Sequence, residues 1–339
     1  MASTEGFDPA AFKVAQRADW QIAAPGWRTW YDVLEAGGEI VSRALIELAA
    51  IGPGDIVLDV ATGYGEPALT AARVVAPGGR VVATDIAADM LDFGRQRAAQ
   101  ADLANVEFLE GDAEALSFDD ESFDAILCRH GLQFLPDVLG ALTRFRTFLK
   151  HDGRLAAAVW GPPDMVQFAC AVSVILAALD LPAPATGRPG IFALADREAL
   201  ERLVADAGFR GVKTGTVTAI YETTSAEDFT QWVRDVAPPI SKLLAGRSSE
   251  VQQQVWRTVT EAWAPFTTAT GASVPRTRRS GWWARGSRSL GADILSRRPR
   301  QPVTRLGAVS DSAWQRWRPE AAIVAMVTTV AAVLARDGP

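Results

Sequence analysis

Four short stretches of this 339-residue chain carry carboxylates, glycines and a histidine in an order that could hold a ligand. Asp59 precedes the small-residue run Ala61-Thr62-Gly63-Tyr64-Gly65, which lets the backbone come close to a bound group. Asp85 follows Gly63 by 22 residues, near the spacing at which a carboxylate receives the two hydroxyls of a ribose. Gly111-Asp112-Ala113-Glu114 adds a second acidic site, and Cys128-Arg129-His130-Gly131 supplies a histidine whose ordinary pKa suits a general base. A dinucleotide would need a third glycine to seat its pyrophosphate on a helix N-terminus. Glu66 follows Gly65 instead, and its charge repels phosphate. An acidic rim of this kind suits a positively charged ligand.

Each stretch closes a predicted strand, at Asp55–Val60, Arg80–Thr84, Val106–Leu109 and Phe123–Cys128. Helical patterns alternate with them, from Glu66-Pro67 to Val75, then Ala88–Ala101 and Val138–Lys150, before a strand at Arg154–Trp160. The alternation predicts an α/β fold with a doubly wound, mostly parallel sheet, whose ligands sit outside the carboxyl ends of the strands. Further on, helices are expected near Val166–Leu179, Arg197–Ala207, Ala226–Val236, Pro239–Leu244 and Val251–Ala264, with a strand at Lys213–Tyr221. In the first fifty residues an apolar face at helical spacing is expected to split into two helices at Pro25-Gly26. Trp20, Trp27 and Trp30 on that face either roof an apolar ligand or pack as helix surface.

Composition narrows the class. Apolar residues make up 48% and charged residues 22%, enough for a large core and far from a disordered or collagen-like chain. Cys128 and Cys170 are too few for a disulfide framework and lie in apolar runs, and no zinc-like spacing occurs. The opening residues lack the basic and apolar regions of a signal peptide, and the uncharged run Ala321–Ala335 is short for a membrane span, so a soluble cytoplasmic protein without a transmembrane segment is expected. The net charge of −6 gives no general case for binding nucleic acid.

The runs VLDVATGYGEPAL, VVATDIAADML, LEGDAEALSFDDESFDAILCRHGLQFLPD and FLKHDGRLAAAVW resemble the class I S-adenosylmethionine-dependent methyltransferases, in particular their ubiquinone/menaquinone-biosynthesis-like (type 11) group. The resemblance spans about residues 25–265 and implies a Rossmann-like methyltransferase fold with S-adenosyl-L-methionine as cofactor. It implies that the loop Asp59, Ala61, Gly63, Gly65 holds the methionine end, Asp85 the ribose, Ile86 and Met90 the adenine faces, and Asp112 with the Ala113 backbone the adenine edge. Arg129 and His130 would then lie near the reactive methyl, with His130 as base. The first glycine usual in the family's loop is Ala61 here, and its usual Pro-Gly before strand five is His151-Asp152. Four regions are expected: an N-terminal helical lid (1–50), the cofactor-binding α/β core (51–160), a helical acceptor cap with a late strand (161–274) and an atypical tail (275–339).

That tail departs from the family. Residues 1–274 carry a net charge of −14 and residues 275–339 a net of +8, the latter without lysine and with four tryptophans before residue 320. The family closes its sheet with a hairpin of strands six and seven. Here strand seven is expected to be missing or replaced, the edge of the sheet unpaired, and Ala321–Leu334 at most a short helix. Translation out of the ancestral frame after Val274 would explain the arginine-rich composition, and a basic tail for nucleic acid is the rival. The expected activity is methyl transfer to a small apolar or aromatic acceptor such as a phenol or quinol, without a metal and in an undetermined oligomeric state. A cofactor-binding protein that has lost turnover through its C-terminus is the alternative.

Overall fold

The computed structural model describes residues 7–166, 168–182 and 187–264, together with the backbone of 323–333. Residues 275–322, with most of the arginine-rich tail, lie outside the described residues.

Two helices, α1 (Pro9–Thr29) and α2 (Tyr31–Leu48), precede the sheet. α1 opens because the Asp8 side chain accepts from the Ala10 and Ala11 amides and Pro9 occupies a first-turn position that needs no N–H. It then runs through Pro25, and the break comes at Trp30 (φ −96°, ψ 15°), five residues later than expected. Tertiary anchoring overrides the proline, since the Trp27 indole donates to the Val236 carbonyl and the Trp30 indole to Asp235.

The alternation expected from the sequence is realised in β1 (Ile56–Val60), α3 (Ala68–Val75), β2 (Arg80–Asp85), α4 (Ala88–Gln100), β3 (Val106–Glu110), β4 (Phe123–Arg129), α5 (Val138–Phe148) and β5 (Leu149–Trp160). β5 starts five residues early, with His151-Asp152 in extended backbone and the register against β4 shifting between Phe123 and Ala125. Beyond it lie α6 (Ala169–Ala178), α7 (Arg197–Asp206), β6 (Val212–Glu222), α8 (Ala226–Val236), α9 (Pro238–Lys242), α10 (Ser249–Trp263) and β7 (Ile323–Val333).

The seven strands run in the order β3-β2-β1-β4-β5-β7-β6, with β1 to β5 parallel and β7 antiparallel to both its neighbours. The doubly wound sheet is therefore as expected, but the missing strand and the unpaired edge are not. Ile323–Val333 fills the position between β5 and β6 as a strand. The sequence IVAMVTTVAAV is a short apolar run without polar alternation, and such a run reads equally as helix.

Strand residues alternate between two cores. Val57, Val81, Ala83 and Leu127 face α2, α3, α6, α8 and α10, while Leu58, Val82, Ile126 and Cys128 face α5 and α7. Phe229 of α8 stacks on Trp263 of α10 at 3.7 Å between ring centroids.

Thr329 of β7 pairs with Val159 on one side and Thr216 on the other. Thr329→Pro removes a ladder donor and leaves a carbonyl of a neighbouring strand without its partner, so the midpoint of urea unfolding should fall by the equivalent of about 1–3 kcal/mol. An unchanged midpoint would mean that 323–333 is not an interior strand.

Candidate functional site

The order of strands reverses between β1 and β4, and a cleft opens over the carboxyl ends of β1, β2, β4 and β5 at that point. The loop after β1 forms its floor. Asp59, fully buried, accepts through Oδ2 from Thr62 Oγ1 (2.6 Å) and from the Ala68 amide at the start of α3 (2.9 Å). Asp85 accepts through Oδ2 from the Gly63 amide (2.8 Å) and through Oδ1 from the Ala87 amide (2.9 Å). Two carboxylates thus set the path of the glycine loop from behind and from the side. Gly63 has a φ of +56° with open space where a Cβ would stand, so its missing side chain leaves the cleft clear. Ala61 also sits at φ 56°, where a glycine would be relaxed, so the alanine costs about 1 kcal/mol of backbone strain.

Of the residues expected at the site, Ala61, Gly63, Asp85, Ile86, Met90, Asp112, Ala113, Arg129 and His130 line this cleft. Asp59 and Gly65 do not, since Asp59 lies beneath the loop and a side chain at Gly65 would press on the backbone of Gly94 in α4. Both shape the loop from outside the cleft. Burial pushes the Asp59 carboxyl up to about 7, although Thr62, Arg129 and the Ala68 amide favour its charged form.

Arg129 both lines the cleft and ties it to the N-terminal helices. Its guanidinium reaches α2, donating to the Gly38 carbonyl (3.1 Å) and Ser42 Oγ (2.9 Å), and to the Tyr64 hydroxyl (2.7 Å). A Cβ at Gly38 would stand 2.6 Å from that guanidinium, which accounts for one glycine of the Gly37-Gly38 pair inside a helix. Burial opposes the Arg129 charge, and the nearby Tyr64, Glu35, Tyr221 and Glu66 outweigh it, so it stays ionised. Arg97 completes the cluster by donating to the Tyr64 carbonyl (2.9 Å), the Tyr31 hydroxyl (2.7 Å) and Glu66 (3.1 Å).

His130 closes β4 at φ 62°, a strained position for a non-glycine residue and one that concentrates at functional sites. Its ring stacks on Trp160 (3.9 Å, 11° between planes), and neither ring nitrogen has a hydrogen-bond partner. Burial and then the Arg129 charge pull its pKa down to about 3. An imidazole so reluctant to take a proton is a poor base at neutral pH.

Further residues complete the walls, Trp20 and Trp27 of the expected lid face among them. Lys13 of α1 bridges Asp112 (2.8 Å) and Glu114 at one end, with Gln16 beside it. Burial works against the Lys13 charge, but the two carboxylates outweigh it and raise its pKa. Trp20 packs edge-on to Phe134 and Trp27 tilts against Tyr64, so these indoles both line the cleft and pack the helix. Trp160, Phe168, Tyr221 and Trp232 wall the other half. Apart from Trp20 and Trp27, these had no local signal, because the contacts join elements far apart in the chain. Among the described residues no His, Cys, Asp and Glu cluster could hold a metal, and no helix is long and apolar enough to cross a membrane.

Residues 57–153 match the methyltransferase domain family. Over 134 residues the chain is 38% identical to the ubiquinone/menaquinone biosynthesis C-methyltransferase UbiE of Ectopseudomonas mendocina, covering 39% of this chain and 52% of that protein. Over 116 residues it is 35% identical to the aklanonic acid methyltransferase DauC of a Streptomyces species, covering 34% of this chain and 53% of that protein. The chain thus spans about half the length of the curated relatives it matches. Its fold is that of phospholethanolamine N-methyltransferase 2 of Haemonchus contortus, with a TM-score of 0.50 at 16% identity, covering 98% of this chain and 61% of that one.

The raised pKa of Asp59 has a stability consequence. The folded state holds this proton between the ordinary carboxylate range and about pH 7, while the unfolded chain has released it, so the group's contribution falls as pH rises through that window. Asp59→Asn should remove this loss, gaining up to about 4 kcal/mol on the wild type between pH 4 and pH 8 in urea titrations. A constant difference between the two proteins across that range would show that Asp59 keeps an ordinary pKa.

Proposed function

We propose that this chain, which carries a class I S-adenosylmethionine-dependent methyltransferase domain over residues 57–153, transfers a methyl group to a small aromatic acceptor such as a phenol or quinol. The observation that carries the reading is the buried carboxylate of Asp85 at the end of β2, fixed beside the Gly63 amide in a cleft whose other half is aromatic.

The donor set fits an adenosyl sulfonium. The Asp85 carboxylate keeps acceptor capacity beyond its bonds to the backbone, as a ribose's hydroxyl requires. Ile86 and Met90 offer apolar faces for a purine, and Asp112 can accept from its amino edge. Lys13 shares that carboxylate, which places α1 over the outer end of the cleft as a cover. Asp85 beside the Gly63 amide and Glu66 directly after Gly65 place carboxylates where a dinucleotide would need its phosphates.

When bound, S-adenosylmethionine would supply a methyl group whose bond to sulfur breaks as the acceptor's electron pair forms the new bond, the old pair leaving with sulfur as a neutral thioether and the acceptor's O–H or C–H proton passing to solvent. The leaving group is already activated, so the chain's own contribution is to hold donor and acceptor in line and keep water out. Trp20 and Trp27 on α1 and Trp160 and Phe168 on the opposite wall provide that exclusion. The matched relatives are named for C-methylation in ubiquinone/menaquinone biosynthesis and for aklanonic acid, both consistent with such an acceptor.

Calorimetric titration with S-adenosylhomocysteine should give saturable binding, and Asp85→Ala should weaken it about 10- to 100-fold, the scale of hydrogen bonds to a charged group. A folded wild-type chain that fails to bind would overturn the proposal.

A further inference from the structure

The end of β3 carries three carboxylates at alternate positions, Glu110, Asp112 and Glu114, and α1 meets them with two cations one helical turn apart, Lys13 and Arg17. The Arg17 pair with Glu110 (3.4 Å) is nearly half exposed on both sides, so it contributes little. Lys13 is placed differently. It sits in the fork between Asp112 (2.8 Å) and Glu114, where the three side chains keep 26%, 24% and 11% of their surface, so water screens this cluster less.

Each member of the fork is fixed from a second side. Asp112 Oδ1 accepts from the Glu114 amide (2.9 Å), and the Glu114 oxygen that Lys13 does not use accepts from the Asp137 amide at the N-cap of α5. Lys13 rides on α1, which is capped by Asp8 and pinned further along by the pair of Asp19 with Lys242 of α9. Among the described residues it is Lys13 that immobilises the Oδ2 side of Asp112. Both Lys13 and Asp112 line the cleft and keep accessible surface, so a ligand can reach the carboxylate. A carboxylate has about four acceptor sites, and these two bonds leave it room for another donor. Held through both oxygens before a ligand arrives, it loses less rotameric freedom on binding, which raises affinity for the donor it receives.

Resting on the methyltransferase reading above, we propose that Lys13 is a positioning residue for the cofactor. It holds the Asp112 carboxylate in the orientation that accepts from the purine amino group, so recognition of that edge depends on α1 being seated over the cleft. Lys13 keeps its charge for the purpose, since the two carboxylates outweigh the opposing effect of burial. The role differs from that of a cover. Loss of a cover weakens every ligand beneath α1, whereas loss of a residue acting through Asp112 weakens only a ligand that brings a donor to that carboxylate.

The test is calorimetric titration of the full chain with S-adenosylhomocysteine and with its analogue whose purine carries hydrogen in place of the amino group. Lys13→Met, which keeps the apolar stem and removes the charge, should weaken S-adenosylhomocysteine about three- to tenfold, the scale of one side chain left to be ordered on binding. The same variant should bind the analogue within about twofold of the wild type, which also reports that the chain is folded. Lys13→Arg, able to donate to both carboxylates, should recover part of the lost affinity. Unchanged or tighter binding of S-adenosylhomocysteine by Lys13→Met, an equal loss of both ligands, a wild type that binds the two ligands equally, or a Lys13→Arg variant no tighter than Lys13→Met would each overturn the proposal while the cofactor reading stands. A folded wild type that binds neither ligand would instead overturn the proposed function, and the role of Lys13 with it.

Discussion

A guanidinium taken out of water must be paired on several sides or it destabilises the fold, and the position of Arg129 imposes that demand at the centre of this molecule. Its donors go to the backbone and Ser42 of α2 and to the Tyr64 hydroxyl in the loop after β1. Tyr64 is in turn held by Glu35 and, through its carbonyl, by Arg97. One buried charge thereby ties the N-terminal helices to the glycine loop, and the ligand-facing loop cannot shift without breaking bonds to α2.

The same constraint explains the small residues of α2. Gly37 lies where a Cβ would strike the Tyr221 ring of β6, and Gly38 where it would strike Arg129. Burial drives the Glu35 carboxyl up, Glu66 adds to that, and Arg129 and Arg97 act against it, so the cluster balances opposing charges within one apolar shell. Close helix approach, charge balance and the shape of the cleft wall are one arrangement here, since Tyr221 both packs on α2 and lines the cleft.

Much of this was legible in the sequence for a physical reason. Interior parallel strands such as Ile56–Val60 and Phe123–Arg129 are short apolar runs punctuated by glycine or acid, and each residue's neighbours along the chain announce it. Asp85 could be placed at the end of its strand because the spacing from the glycine loop is a local quantity. Contacts made across the fold had no such mark. Lys13 on Asp112, Arg129 on Gly38 and the indole of Trp30 on Asp235 each join residues more than 90 positions apart. The run through Pro25 and the strand at Ile323–Val333 were misread for the same reason, as partners distant in sequence decide both. His130 was located correctly at its strand end, but its low proton affinity follows from Arg129 and the surrounding burial, which only the folded chain creates.

The place of β7 has a consequence in time. It lies between β5 and β6, and no ladder joins β6 directly to β5. During synthesis, residues 1–264 are in existence long before Ile323–Val333 emerges, so for that interval β6 has nothing in the sheet to dock against. The wall that depends on β6, with Tyr221 against α2, must therefore be the last part of the cleft to set. The parallel half of the sheet can assemble as it leaves the ribosome, whereas the wall built on β6 waits for a segment about a hundred residues downstream of that strand.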